Sequence, residues 1–320
     1  MSKKIMDCID AGSDYCPCYL AETGDCIVCS LIRGDKFCNC NWTGTCIYNE
    51  YMWNGEKAKN LRGEYICKLI NKESLDEYTK ILTIKIPQKA YNSRFKDIRE
   101  PGSYVFIRNI KDNSSFNVPM SVMHVDSSKN TIEIAYRIVG IKTKAIDKIQ
   151  NNLILTGPFS NAILGIKNIK KLYQGTTLFL VRGISQAPSV LLAQRLIEKN
   201  NRIVIGVDNG IVKQIFMKKY LDDKDVAFFH LDYDNYDKSI SPILNKIEKL
   251  NLIFIGGSNS FKEKMKNIIE RYNLDVPILY TNNNKICCGE GICGACIVED
   301  DKGNKIRTCK ANTKGGDFVD

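Results

Sequence analysis

The sequence predicts an α+β multidomain chain: an antiparallel β-barrel, then a parallel α/β unit, with a cysteine-rich segment at each end. Three observations carry this. Short β-branched and aromatic runs separated by turn residues fill residues 62–160. Apolar strands alternate with helical segments over 172–282. Thirteen of the fourteen cysteines lie near the two ends, and only Cys67 falls between. At 320 residues, with 44% hydrophobic and 26% charged side chains, the chain has the balance of a folded protein of two or three units.

Residues 1–56 show no sustained period and few branched aliphatics, so metal ligands are expected to hold this segment together. In the barrel region, strands are expected at Tyr65–Leu69, Thr79–Ile86 and Tyr104–Ile110. Pro119–Val125 and Thr131–Val139 bracket a hairpin at Asp126–Asn130. A short helix at Thr143–Ile149 and a strand at Leu153–Thr156 complete a small barrel of six strands and one late helix. In the parallel unit, strands are expected at Thr176–Val181, Ile203–Val207, Val226–Leu231, Leu252–Ile255 and Val276–Tyr280. Helices are expected at Pro188–Lys199, Val212–Leu221, Pro242–Leu250 and Phe261–Tyr272. Apolar strands alternating with helices imply a sheet covered on both faces, with ligands beyond the carboxyl ends of its strands.

The formal net charge is +10, yet residues 1–56 hold eight acids against Lys3, Lys4, Arg33 and Lys36, a net −4. The basic excess elsewhere reads as a lysine-rich solvated surface. The N-terminus has no apolar core for a signal peptide, and runs such as LIFI and TLFLV are far short of the ~20 apolar residues of a membrane helix. A cytoplasmic protein is expected. In a reducing cytoplasm, clustered cysteines point to metal or redox chemistry rather than disulfides.

The most specific signal is Cys287-Cys-Gly-Glu-Gly-Ile-Cys-Gly-Ala-Cys296, followed by Cys309. Cys288, Cys293, Cys296 and Cys309 have the C-x4-C-x2-C spacing with a distant fourth cysteine that plant-type ferredoxins use for a [2Fe–2S] cluster. Gly289, Gly291 and Gly294 let such a loop wrap a compact cluster and direct N–H groups at its sulfurs. A zinc knuckle more often shows two short cysteine pairs. Cys287 falls outside the spacing.

Barrel, parallel unit and ferredoxin-like loop, in that order, resemble the electron-transfer subunit of type B dihydroorotate dehydrogenase, in the ferredoxin–NADP reductase superfamily. The small subunit of NADH-dependent ferredoxin:NADP oxidoreductase has the same architecture. The resemblance covers residues 62–320 and implies an FAD-binding β-barrel over 62–160, an NAD(P)-type α/β domain over 172–282 and a [2Fe–2S] segment over 283–320. Residues 1–56, read as a metal-binding segment, lie outside it.

The family carries Arg-Pro-x-Ser against the isoalloxazine; here Val118-Pro119-Met120-Ser121 keeps proline and serine and replaces the arginine. The next family segment resembles Tyr136-Arg137-Ile-Val-Gly140-Ile-Lys142-Thr143, whose turn binds the flavin diphosphate in the family. Gly140 and Thr143 match, and Lys142 stands at the second glycine. Lys142 and Arg137 could replace charge lost at Val118. FAD rather than FMN follows from the resemblance alone.

The family's glycine-rich nicotinamide turn reads Val181-Arg182-Gly183-Ile184-Ser185-Gln186-Ala187-Pro188, with Gly183, Ala187 and Pro188 retained. Its Cys-Gly-Pro reads Gly256-Gly257-Ser258. Two readings stay open. Arg182 binds a phosphate while Asp208 accepts a ribose hydroxyl, favouring NADH over NADPH; or the site is degenerate and the domain is a scaffold.

The N-terminal Cys8, Cys16, Cys18, Cys26, Cys29, Cys38, Cys40 and Cys46 suit two four-ligand sites, either zinc or an additional iron–sulfur cluster. The only histidines are His124 and His230, so a zinc there would be all-cysteine. The acidic charge of the segment argues against a nucleic-acid-binding ribbon, which needs Lys and Arg for phosphates. Trp42 and Trp53 are expected to fill a small core.

The resemblance implies an electron-transfer subunit or reductase, an oxidoreductase. Electrons from NADH or a partner flavoenzyme would reach FAD and leave singly through the [2Fe–2S] cluster. No catalytic acid–base residue is required, because the protein places cofactors and tunes them. Two alternatives are a stand-alone NAD(P)H-dependent reductase of a small acceptor or ferredoxin, and a non-catalytic docking module with a degenerate nicotinamide site. A catalytic flavoenzyme subunit is the expected partner; neither nucleic acid nor membrane is.

Overall fold

The computed structural model describes residues 6–60, 62–221, 226–300 and 302–313. Residues 1–5, 301 and 314–320 of the two cysteine-rich ends lie outside this description. The N-terminal segment is mostly turns, with two short helices, α1 (Tyr19–Glu22) and α2 (Ile47–Trp53). Its core is Leu20, Ile27, Val28 and Ile47, and Ile306 and Ala311 from the other end of the chain join it. Backbone bonds Ile9 N–H to Lys310 O (2.8 Å) and Asn312 N–H to Asp7 O (2.9 Å) tie the two ends together. Trp42 packs on Gly12 and Gly44. Trp53 does not fill a core: it is 78% exposed at the end of α2.

The barrel comprises β1 (Gly63–Ser74), β2 (Thr79–Lys85), α3 (Gln88–Arg94), β3 (Tyr104–Asn109), β4 (Val118–Ser121), β5 (His124–Asp126), β6 (Thr131–Arg137), α4 (Ile141–Asp147) and β7 (Asn152–Phe159). These strands form one antiparallel sheet in the order β4-β3-β7-β1-β2-β6-β5. The stretch expected as a single strand at Pro119–Val125 is therefore two strands at opposite ends of the sheet. Between them, Val122 N–H bonds Ser103 O (3.0 Å) and Met123 N–H bonds Glu133 O (2.8 Å), so two consecutive residues close the sheet on itself. Closure leaves few free edges. Inside lie Val105, Ile107, Met120, Ile132, Ile134 and Leu155.

The second sheet comprises β8 (Ile163–Leu164), β9 (Thr176–Arg182), β10 (Arg202–Asp208), β11 (Val226–His230), β12 (Leu250–Gly256) and β13 (Ile278–Thr281), in the order β11-β10-β9-β12-β13-β8. All pairings are parallel except β8 with β13. Helices α5 (Gln186–Ile197), α6 (Tyr236–Leu244) and α7 (Asn259–Glu270) connect strands. Separate apolar clusters cover the two faces, one around Phe179, Val190 and Phe254, the other around Leu180, Ile253 and Phe261. Ile81, Met123 and Ala135 of the barrel join the first, so the two sheets share a core.

Two helix expectations are corrected. Val212–Leu221 forms only a 3-10 turn over Phe216–Tyr220. The helix expected at Pro242–Leu250 begins earlier, because the Asn235 side chain accepts the Lys238 N–H and sets the N-cap before Tyr236. Pro242 then falls inside α6, and Leu250 opens β12. A hairpin of β14 (Ile297–Glu299) and β15 (Lys305–Arg307) follows the C-terminal cysteine loop. Helix α3, strand β8 and this hairpin are too short to carry a readable period.

Candidate functional site

The barrel's outer face and the C-terminal loop meet around Tyr104. In the β3–β4 register Tyr104 lies opposite Ser121 and Phe106 opposite Pro119. Side chains opposite each other share a face. Met120, between them, points into the barrel. On the outer face Tyr104 stacks on Phe159 with centroids 5.2 Å apart, and Phe106 meets Phe159 edge-on at 5.1 Å. Gly289 of the cysteine loop rests on this aromatic layer, where a Cβ would come within 2.6 Å of Phe159 and 3.0 Å of the Tyr104 hydroxyl. The Pro119–Ser121 motif and the loop at Cys288 are thus separated by one aromatic side chain.

The loop winds through left-handed turns at Gly289, Gly291 and Gly294, with φ of 70°, 79° and 74°. Only glycine adopts these without strain. The Glu290 N–H donates to Cys288 Sγ at 3.3 Å. Cys296 and Cys309 are buried with sulfurs 3.1 Å apart. The hydrogen bond between them is the main influence on their ionisation, easing loss of the first proton and resisting loss of the second. Cys293 and Cys287 are exposed. Among the described residues no group of three or more Cys, His, Asp or Glu is arranged around one ion. A [2Fe–2S] centre does not need that, since its thiolates are divided between two irons. The Tyr104 hydroxyl, buried and without a hydrogen-bond partner, is a donor aimed at the loop. The close cysteine pair, the amide on Cys288 and the orphaned Tyr104 hydroxyl together fit an iron–sulfur centre. Because that hydroxyl satisfies nothing in the protein itself, Tyr104→Phe should leave metal-free stability unchanged or raise it by up to about 1 kcal/mol. Urea unfolding of the metal-free variant checks this.

A buried charge network anchors the loop. Arg62 meets Asp10 at 2.8 Å and Glu290 at 3.1 Å; Lys310 meets Asp10 at 2.6 Å and Glu290 at 2.8 Å. The guanidinium of Arg62 lies 4.0 Å from the Tyr15 ring centroid and 4.7 Å from that of Phe159. Burial alone would raise Asp10, but Lys310 and Arg62 hold its carboxyl well below the usual range. Arg307 adds a bond from Nε to Gly291 O at 2.8 Å. The sequence reading missed Asp10, Arg62, Tyr104, Glu290 and Lys310. Only Glu290 and Lys310 had a signal, as charged residues set among the cysteines.

The second flavin motif is close to the first: Lys142 Nζ reaches Asn117 O, just before β4, at 3.4 Å. Gly140 precedes α4, and Thr143 Oγ1 accepts N–H bonds from Val139 (2.9 Å) and Gly140 (3.1 Å), so it organises its own turn. Tyr136 points into the barrel and donates to Asp147, offering no side-chain group to a ligand. Arg137 bonds Thr79 Oγ1 at 2.9 Å, back toward the β1–β2 turn.

Gly183, with φ of 58°, turns β9 into α5 at the carboxyl end of the sheet. Arg182 and Asp208 end neighbouring strands and pair at 2.6 Å. Asp208 also accepts the Tyr236 hydroxyl at 2.5 Å and the Gly210 N–H at 2.7 Å. Burial opposes its charge, but these bonds and Arg182 keep its carboxyl below the ordinary range. Both groups expected to meet a nucleotide therefore meet each other. Two sizeable cavities lie elsewhere: about 710 Å³ beside Thr176 and Arg202 where β9 and β10 begin, and about 680 Å³ between the N-terminal segment and the barrel.

An antiparallel barrel sheet joined to a parallel sheet is the ferredoxin-reductase type of fold, and the chain is an oxidoreductase. Its sequence is similar to the electron transfer subunit of dihydroorotate dehydrogenase B (NAD(+)). Identity is 27% over 240 residues with the Clostridium acetobutylicum protein, covering 71% of this chain and 89% of that one. With the Enterococcus faecalis OG1RF protein it is 23% over 212 residues, covering 63% and 78%. Among solved structures, the NADH-dependent reduced ferredoxin-NADP oxidoreductase superposes with a TM-score of 0.59 at 18% identity, covering 76% of this chain and 85% of that one. The ferredoxin reductase of carbazole 1,9a-dioxygenase gives 0.50 at 11%, covering 71% of each chain. No protein-family model matches the chain. No helix among the described residues is long and apolar enough to cross a membrane.

Proposed function

We propose that this chain is an electron-transfer flavoprotein subunit, carrying FAD against the barrel and a [2Fe–2S] cluster in the C-terminal loop. The observation that carries the reading is Tyr104, opposite Ser121 on one side and beneath Gly289 on the other. When bound, FAD supplies two-electron acceptance and the cluster one-electron release. Pro119 and Ser121 would meet the isoalloxazine, and Gly140, Lys142 and Thr143 the diphosphate. Cys288, Cys293, Cys296 and Cys309 would hold the cluster. Tyr104 and Phe159, both buried, would keep water from between the flavin motif and the cysteine loop.

Electrons would arrive from a catalytic flavoenzyme partner, in line with the names of the relatives. A second reading, direct reduction by NADH, is favoured by Arg182, which lies at a carboxyl strand end. Asp208 would have to release Arg182 or Tyr236 to receive a ribose. The test is an anaerobic titration of the purified chain with NADH, then NADPH, followed by visible absorption. Bleaching of the flavin band by NADH selects direct reduction. A band that responds to dithionite alone selects the partner. Absence of a flavin band overturns the proposal. Cys293→Ser is expected to remove the [2Fe–2S] signal and keep the flavin band; survival of that signal refutes the ligand set.

A further inference from the structure

Tyr104 opens β3 and is buried in an apolar layer with Phe106, Phe159, Ala162 and Ile286. No other side chain of that layer carries a polar atom. A phenylalanine would pack the same ring there and bury no hydroxyl. A buried hydroxyl without an acceptor costs free energy. Among the described residues the Tyr104 hydroxyl has no acceptor.

Two neighbours hold the ring. It stacks on Phe159 with 20° between the planes, and Phe106 meets it edge-on at 5.8 Å. Its oxygen ends at Gly289, where a Cβ would stand 3.0 Å away. Gly289 follows Cys288 directly, and the next amide, that of Glu290, donates to Cys288 Sγ. Other side-chain donors that reach the loop are committed to oxygen acceptors. Arg307 Nε bonds Gly291 O at 2.8 Å, Thr308 Oγ1 bonds Cys296 O at 3.0 Å, and Lys310 Nζ bonds Glu290 at 2.8 Å. Of these donors, Tyr104 alone lacks an oxygen acceptor.

We infer that Tyr104 donates a hydrogen bond to a sulfur of the iron–sulfur centre in the C-terminal loop and so raises its reduction potential. This rests on the proposed [2Fe–2S] reading of Cys288, Cys293, Cys296 and Cys309. Hydrogen bonds to the sulfurs are one of the levers a protein has on such potentials. Reduction adds one negative charge, so a donor stabilises the reduced form more than the oxidised form. An apolar surrounding strengthens that preference.

A tyrosine phenol ionises near pH 10, so its proton is in place at neutral pH. That proton stays on the Tyr104 oxygen in both redox states; only one electron is gained or lost at the centre. Tyr104 also lies opposite Ser121 of the flavin motif in the β3–β4 register. The side chain that separates the motif from the loop therefore biases electrons toward the loop.

The experiment is an anaerobic redox titration of the full chain and of Tyr104→Phe, followed by visible absorption and EPR. Iron, acid-labile sulfide and flavin are measured per chain. The couple of the C-terminal centre is the one absent from Cys293→Ser. Tyr104→Phe is expected to keep its iron, sulfide and flavin and to move that couple to a lower potential. At a fixed ambient potential its reduced-to-oxidised ratio should fall about tenfold, the weight of one hydrogen bond to a charged group. For a one-electron couple that is a shift of about 59 mV. An unshifted couple overturns the inference and leaves the ligand set standing. A shift confined to the flavin couple overturns it too, and assigns the hydroxyl to the isoalloxazine. Loss of iron and sulfide from Tyr104→Phe also overturns it, because the hydroxyl would then hold the loop rather than tune its centre. A wild-type chain without acid-labile sulfide removes the [2Fe–2S] reading itself, and the inference with it.

Discussion

Replacing Lys310 with Met should destabilise the chain by about 3–5 kcal/mol, the cost of breaking a buried ion pair by removing one partner. The side chain of Lys310 is fully buried, and its ammonium is shared by Asp10 and Glu290. Without it, the buried Asp10 carboxylate and the partly buried Glu290 carboxylate share Arg62 as their only cation in the network. Urea unfolding of the variant gives the loss directly. The double variant Lys310→Met with Asp10→Leu removes one positive and one negative charge together, and should recover a large part of it. A double variant as unstable as the sum of the two singles would mean the network is not a coupled unit.

The same network sets a pH window. The Asp10 carboxyl is held below its ordinary value, so its contribution is present above that value, about 4, and is lost as pH falls through the lowered one. Burial opposes the Lys310 charge, but Asp10 and Glu290 win and hold its ammonium above the ordinary lysine value. Its contribution is present below about 10 and is lost as pH rises through the raised value. Between these limits the network's contribution should be flat, and in Lys310→Met the alkaline loss should disappear. Stability curves across pH for the two chains check this.

The second large effect is expected at Gly289. Gly289→Ala must place a Cβ 2.5 Å from Phe159 Cε1 and must hold an L-residue at φ 70°. The dihedral costs about 1–2 kcal/mol. The clash adds about 1–3 kcal/mol, because Phe159 is buried and stacked on Tyr104 and cannot turn away. The loop should lift from the barrel, and on the proposed reading iron bound at the C-terminal cysteines should fall sharply while flavin content stays. Gly294→Ala is the control: φ is 74°, but the nearest contact is Ile297 Cδ1 at 3.6 Å, so only the dihedral cost applies. Equal losses in the two variants would show that contact with the aromatic layer is unimportant.

Much of this molecule is legible one residue at a time. The strands at Thr79–Lys85 and Thr176–Arg182 announce themselves because β-branched and apolar runs have few other uses. The Cys288–Cys296 spacing is local and readable as a motif, and its glycines are explained by their left-handed turns. The order of barrel, parallel sheet and cysteine loop is likewise written along the chain. Folding decided what depends on residues far apart in sequence. The segment Pro119–Val125 reads as one strand, yet its two halves fall in strands at opposite ends of the sheet, since closure is a property of the whole sheet. Arg182 and Asp208 read as separate nucleotide contacts until the parallel register sets them side by side. Asp10, Arg62, Glu290 and Lys310 carry no period and no motif. They become a network only when the two ends of the chain share one core, because a buried charge is tolerated only beside its opposite.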